Sequence, residues 1–172
     1  MRLSSGFNAV IGSACLAAAL FIGSVSSAAA AEKDYPAEFA KAVQAGEFVT
    51  DYKLALMLSK ESKRPILADF TGSDWCGWCI KLKSEVFDTK EFKEWASKNV
   101  IMLEVDFPQG FKLEDKLKAQ NDELQNKFKI SGFPTVLAIN DKGAKIGQLG
   151  YQAGGPSVWI PAAAKAAGIK SK

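Results

Sequence analysis

The sequence predicts an α/β domain with a central mixed β-sheet flanked by helices on both faces. Three observations lead there. Short apolar runs that stop at Gly, Pro or Asp alternate with longer segments whose apolar residues recur at helical spacing. Crossover helices of that kind demand parallel neighbouring strands. Near the C-terminus, Asp141 to Gly143 ("DKG") marks a hairpin turn between two strand-like runs, which adds antiparallel strands to the same sheet.

In chain order, Met1 to Ala31 comes first. A single Arg2 precedes an apolar stretch from Ala9 to Val25, and small residues follow, ending at Ala29-Ala30-Ala31 before Glu32. This is the layout of a cleaved secretory leader, so residues 1–31 are expected to be a signal peptide and 32–172 a single domain, periplasmic or secreted. The apolar run is short and punctuated by Gly and Ser, which argues against a retained membrane span. Cys15 lacks the upstream Leu and the completed apolar run of a lipid-attachment site.

Asp51 to Lys63 carries Leu54 and Leu58 on one helical side and is stopped by Pro65. Pro65 to Phe70 reads as a buried strand. After the cysteines, Leu82 and Val86 continue an apolar stripe from Cys79, and Asp88 with Glu91 suggests a capping box for a second helical piece carrying Phe92, Trp95 and Ala96. Val100 to Phe107 is the next strand, ended by Pro108 and Gly110. Lys112 to Lys129 is densely charged, with Leu113, Leu117, Leu124 and Phe128 as a sparse apolar side, and reads as a solvated helix over the sheet. The hairpin follows, then a helix around Ser157 to Ala167 with Trp159, closed by Gly168 and interrupted by Pro161.

Composition narrows the chemistry. The formal net charge of the whole chain is +3, and losing the leader removes only Arg2, so nucleic acid is not an expected partner. There is no histidine, which excludes Cys-His catalysis and zinc sites built from Cys and His. Of three cysteines, Cys15 falls in the leader, leaving Cys76 and Cys79 in "FTGSDWCGWCIKL". In an exported chain this pair is a redox couple, a two-sulfur Cu(I) clip, or a structural disulfide.

Placement favours the redox couple. The pair lies where a strand turns into a helix, so Cys76 meets unpaired backbone N–H groups and the positive end of the helix dipole, which stabilise a thiolate. Cys79 falls one turn deeper on the same face. Cys76 is therefore expected to be exposed and to attack, and Cys79 to be shielded and to resolve the mixed disulfide. Asp69 ends the preceding strand. It either accepts the proton of Cys79 or serves only as a turn residue. Trp75 and Trp78 flank the pair and are read as an apolar rim that docks substrate rather than as core residues.

The segments "DFTGSDWCGWC" and "GFPT" together resemble the thioredoxin-fold family, and within it the exported thioredoxin-like thiol-disulfide oxidoreductases. The likeness covers Ile66 to Ala167. It implies a thioredoxin fold and a cis Phe133-Pro134 bond facing the cysteines. It also implies Cys76 as nucleophile, Cys79 as resolving thiol, Asp69 as buried proton acceptor, Trp75 as flanking aromatic, and Phe133 and Pro134 as a substrate-groove wall. Thr135 beside them would offer backbone hydrogen bonds to an extended substrate.

Gly77-Trp78 stands where thioredoxin has Gly-Pro and disulfide isomerases have Gly-His, so the redox poise is this chain's own, and both residues are placed in the substrate surface. The lysine that thioredoxin sets beside its buried aspartate would fall near Met102. One extra residue separates Asp69 from Trp75, and the Lys112–Lys129 segment is longer than in thioredoxin. No cofactor is expected beyond the redox-active Cys76–Cys79 disulfide, and no metal. The expected partners are disulfide-bearing exported proteins and a membrane or soluble redox partner, with electron flow leaning towards reduction.

Overall fold

The computed structural model describes residue 41 and residues 43–170. The expected leader and the start of the domain at Glu32 lie outside the described residues. The first strand, β1 (Phe48–Val49), is one that periodicity does not reveal, because two residues carry no period. Helix α1 (Tyr52–Ser62) follows, with Asp51 as its N-cap: the carboxylate accepts from the Leu54 N–H at 2.9 Å. It ends on Lys63 in the left-handed conformation, two residues before Pro65.

Strand β2 (Ile66–Thr71) is buried along its whole length. The helical region after it has three parts: α2 (Gly77–Leu82), a π-helical turn (Lys83–Phe87) and α3 (Lys90–Asn99). The expected capping box on Asp88 is corrected here. Thr89 is the N-cap, its hydroxyl accepting from the Phe92 N–H at 3.3 Å, because the wide π turn takes Asp88 as its own C-cap, where its carboxylate pairs with Lys83 at 3.6 Å. Then come β3 (Ile101–Asp106), α4 (Asp115–Phe128), β4 (Thr135–Ile139), β5 (Lys145–Leu149) and α5 (Pro156–Ala166). Pro156 occupies the first turn of α5, where a missing N–H costs nothing, and Pro161 is exposed inside the helix.

The sheet order is β1-β3-β2-β4-β5. β1, β2 and β3 run parallel, and β4 is antiparallel to both β2 and β5. The turn between β4 and β5 is held by the Asn140 side-chain oxygen, which accepts from the N–H groups of Lys142 and Ala144, both at 3.0 Å.

Strand alternation sends Ile66, Ala68 and Phe70 to a core under α1 and α4. Leu67 and its neighbours Met102, Val136 and Ala138 face a second core with Leu82, Phe87, Phe92 and Trp159. Asp69 has the parity of Leu67, so it points to the face covered by the cysteine-bearing helix. That parity positions the site. Trp159 anchors this second core: it is fully buried, lies edge-on to Phe87 and Phe92, and donates from Nε1 to the Gly150 carbonyl at 3.0 Å. Trp159→Ala is expected to cost about 3–5 kcal/mol, read as a lower urea midpoint with an unchanged slope.

Candidate active site

Cys76 is the N-cap of α2, in an extended conformation that turns its side chain back over the first helical turn. Its N–H donates to the Gly72 carbonyl at 2.9 Å, and its sulfur accepts from the Cys79 N–H at 3.2 Å. The two sulfurs are joined, with an S–S distance of 2.07 Å and Cα atoms 5.2 Å apart. The expectation of an exposed Cys76 is corrected: Cys76 is 7% and Cys79 3% exposed. The bond to Cys79 and the N-cap geometry hold the Cys76 sulfur against the helix. What distinguishes the two is surroundings, since the Cys76 sulfur accepts a backbone N–H at the start of α2 whereas Cys79 lines a cleft with Asp69.

Below Cys79 lies a narrow cleft with room for about one water molecule, lined by Asp69, Ser73, Cys79, Lys83 and Glu104 among others. Asp69 is buried there and its Oδ1 has no hydrogen-bond partner. Burial pushes its carboxyl up to about 8; Glu104 and Asp106 add to the rise and Lys83 opposes it. Asp69 is thus no exposed turn residue. It is a buried acid that shares a cleft with Cys79.

The chain between Asp69 and Trp75 is tied down by contacts that sequence reasoning missed. Ser73 donates to the Asp106 carboxylate from its N–H at 2.9 Å and from its hydroxyl at 2.6 Å. The Asp74 carboxylate accepts from the N–H groups of Gln109, at 3.0 Å, and Gly110, which lower its proton affinity. A Cβ on Gly72 would lie 2.5 Å from the Trp75 indole, so only glycine lets that ring settle over the turn. The "GSD" turn and the "DFPQG" segment were visible as loops, but nothing local showed that they fasten to each other.

Trp75 and Trp78 are 43% and 58% exposed, which fits a rim and not a core. Trp75 donates from Nε1 to the Phe107 carbonyl at 2.7 Å and lies edge-on to Phe133 at 5.9 Å, while Phe133 stacks on Phe107 at 5.2 Å. The Phe133-Pro134 bond is cis, as the family resemblance implied. Phe133 therefore meets the aromatic neighbour of Cys76, with Pro134 next along the chain. Thr135 opens β4 opposite Phe70, and its hydroxyl donates to the Gly132 carbonyl at 2.7 Å. Gly77 has open space around its Cα. On the other flank Trp78 packs on Tyr151 at 5.0 Å, with Lys81 over both rings and the Tyr151 hydroxyl donating to Glu85 at 2.7 Å. Tyr151 was not singled out from the sequence, since its link to Trp78 exists only in the folded chain.

A family model described as a thioredoxin-like domain matches residues 52–155, which contain both cysteines and the cis-proline turn. The chain belongs to the thioredoxin-like family. Within it, the chain is similar to the disulfide bond reductase DsbH of Chlamydia pneumoniae, 38% identical over 109 residues that make up 63% of this chain and 66% of that protein. It is also 33% identical to the thioredoxin-related protein DsbJ of the same organism over 100 residues, 58% of this chain and 29% of that protein. The chain thus spans just under two thirds of the one relative and less than a third of the other. Among solved structures, one of a DsbH oxidoreductase superposes with a TM-score of 0.68 at 31% identity, covering 81% of this chain and 94% of that one. As a thioredoxin-like protein this chain is a homologue of a disulfide reductase, and its closed Cys76–Cys79 bridge fits a CxxC redox couple. Among the described residues, no helix is long and apolar enough to cross a membrane.

Proposed function

We propose that the chain is an exported disulfide reductase that acts on disulfide-bearing proteins. The observation that carries this reading is the Cys76–Cys79 bridge at a strand-to-helix junction, with Cys79 sharing a cleft with the buried Asp69, whose Oδ1 has no hydrogen-bond partner.

In the reduced form, the Cys76 thiolate attacks one sulfur of the substrate disulfide. A Cys76–substrate bond forms, the substrate S–S bond breaks, and the first substrate thiolate leaves and takes a proton from solvent. Cys79 then gives its thiol proton to the Asp69 carboxylate and attacks the Cys76 sulfur. The Cys76–Cys79 bond forms, the mixed disulfide breaks, and the second substrate thiolate departs. Two electrons have moved from the dithiol to the substrate, and a membrane or soluble dithiol donor must restore them. Trp75, Gly77, Trp78, Phe133, Pro134 and Thr135 supply the surface on which an extended substrate segment lies, with apolar contact from the aromatic rings and backbone pairing at the Pro134 turn. Similarity to a disulfide bond reductase supports this direction of flow. The leader-like sequence of residues 1–31 supports export.

The test is the reduction potential of the Cys76–Cys79 couple together with turnover of a disulfide-bonded peptide. A potential near about −270 mV with catalytic peptide reduction is the expected result, and one near about −120 mV marks an oxidant instead. Equimolar Cu(I) binding without peptide reduction would move the chain to the carrier class, and a bridge inert to mild reductant would make it structural.

A further inference from the structure

The parallel register of β2 and β3 sets Leu67 opposite Met102, Asp69 opposite Glu104, and Thr71 opposite Asp106. Period-two alternation then puts three carboxyl groups, Asp69, Glu104 and Asp106, on the face covered by the cysteine helix. They are not equivalent. Asp106 is engaged by both donors of Ser73, so its charge is compensated where it stands. Asp69 has no such donor at Oδ1. Glu104 lines the same cleft as Asp69 and Cys79, and its own carboxyl is raised, first by burial.

Among the described residues, one cation lines the cleft. Lys83 reaches it from the π-helical turn and spends part of its charge on Asp88. Strand β4 presents only Val136 opposite Asp69, and α2 presents Cys79. The charged groups facing Asp69 are therefore Glu104 and Asp106 from β3 and Lys83 from the turn. Met102, on the same face of β3, is apolar, so the balancing cation comes from the π-helical turn and from the solvent side.

We propose that Glu104 and Lys83 set the proton affinity of Asp69 as an opposed pair, Glu104 holding the proton on and Lys83 drawing it off, and so fix the pH at which Cys79 becomes a nucleophile. The proposal rests on the reading of Asp69 as proton acceptor for Cys79. Glu104 is a positioning residue: it acts through Asp69 and not on the sulfurs. A carboxylate across the strand pair makes ionising Asp69 costlier, because two like charges would share a cleft with little water. An ammonium at the cleft mouth makes it cheaper, with partial screening by solvent. Only the ionised Asp69 accepts the Cys79 proton, so the resolving step should rise with pH along a limb that reports Asp69, and single-charge changes on either side should move that limb in opposite directions.

The experiment measures release of a peptide thiol from the Cys76 mixed disulfide, from about pH 6 to about pH 9.5, in wild type, Glu104→Gln and Lys83→Met, with Asp69→Asn as reference. Glu104→Gln should lower the limb by about one pH unit and speed release a few-fold at neutral pH, an advantage that vanishes above the limb because the weaker base has less driving force. Lys83→Met should raise the limb by less and slow neutral release. Limbs that stay put, or that move the same way in both variants, overturn the proposal. Should Glu104→Gln not fold, the solvent-side Lys83→Met decides alone, and an unmoved limb there is fatal.

Carbon NMR titration of the Asp69 carboxyl in wild type and variants reads the same coupling without turnover. Opposed shifts there with no peptide release would refute the reductase reading while sustaining the charge pair. Peptide release with no opposed shifts would do the reverse.

Discussion

Asp69→Asn is expected to make the folded protein more stable than wild type at neutral and alkaline pH, by an amount that grows as pH rises to about 8 and is level above it. The ordinary Asp carboxyl loses its proton near 3.8, whereas burial in the folded chain holds that of Asp69 up to about 8. Between those values the folded state keeps a proton that the unfolded state has released. Stability therefore falls with rising pH across that window, by about 1.4 kcal/mol per pH unit for a fully coupled group, and is level above the folded value. Below the unfolded value both states are protonated and the loss is absent. Asn has the shape of the protonated acid and no charge to lose, so its stability skips this decline. Water entering the cleft moderates the full figure to a few kcal/mol, still a large share of a domain's stability. Urea unfolding of the oxidised proteins at about pH 5, 7 and 9 tests it. A difference that is constant across pH, or a less stable variant at pH 9, would show that Asp69 is satisfied in the folded state by partners other than its own proton.

That Asp69 is a stored cost at the centre of the molecule was half legible in the sequence. A lone carboxylate ending an apolar run just before two cysteines is conspicuous, and strand alternation predicts which face it takes. Its burial depends on β2 being a central strand, flanked by β3 and β4. That fact lives in the sheet order, not in any local pattern. The long periodic elements were readable for the same reason that they are stable: each buries a stripe or a face whose spacing is written in the residues. Short or context-dependent features were not. β1 is two residues long, the π turn differs from an α-helix by one residue of winding, and Thr89 won the cap from Asp88 because of that winding. Glu104 had no assigned role within the Val100–Phe107 strand until the register set it against Asp69. Tyr151 lay in a loop until Trp78 was seen to pack on it. The cysteines were legible because their position at a strand-to-helix turn is itself a local pattern, yet their relative exposure was not, since it depends on a side chain turned back over its own helix.

Cys79→Ser is expected to accumulate covalent adducts with substrate proteins, and Cys76→Ser to accumulate on the order of tenfold fewer or none. The reason is no longer exposure, since the two cysteines are buried almost alike. It is the set of donors. The Cys76 sulfur accepts the Cys79 N–H at the start of α2, at the positive end of the helix dipole, which favours a thiolate. Cys79 instead sits over a cleft with two raised carboxyl groups, which discourages a resident thiolate and suits a thiol that ionises only when Asp69 takes its proton. With Ser at position 79 the first exchange proceeds, the mixed disulfide on Cys76 has no internal thiol to displace it, and the adduct persists until an external reductant is added. With Ser at position 76 the remaining thiol is buried over the Asp69 cleft, away from the start of α2, so the first exchange is slow. Non-reducing electrophoresis of each variant after incubation with a disulfide-bonded protein, with and without added dithiol, gives the readout. Equal trapping by the two variants would mean that either sulfur can attack, which would remove the role assigned to the helix start. Adducts confined to Cys76→Ser would invert the roles and move the nucleophile to the Asp69 side of the couple.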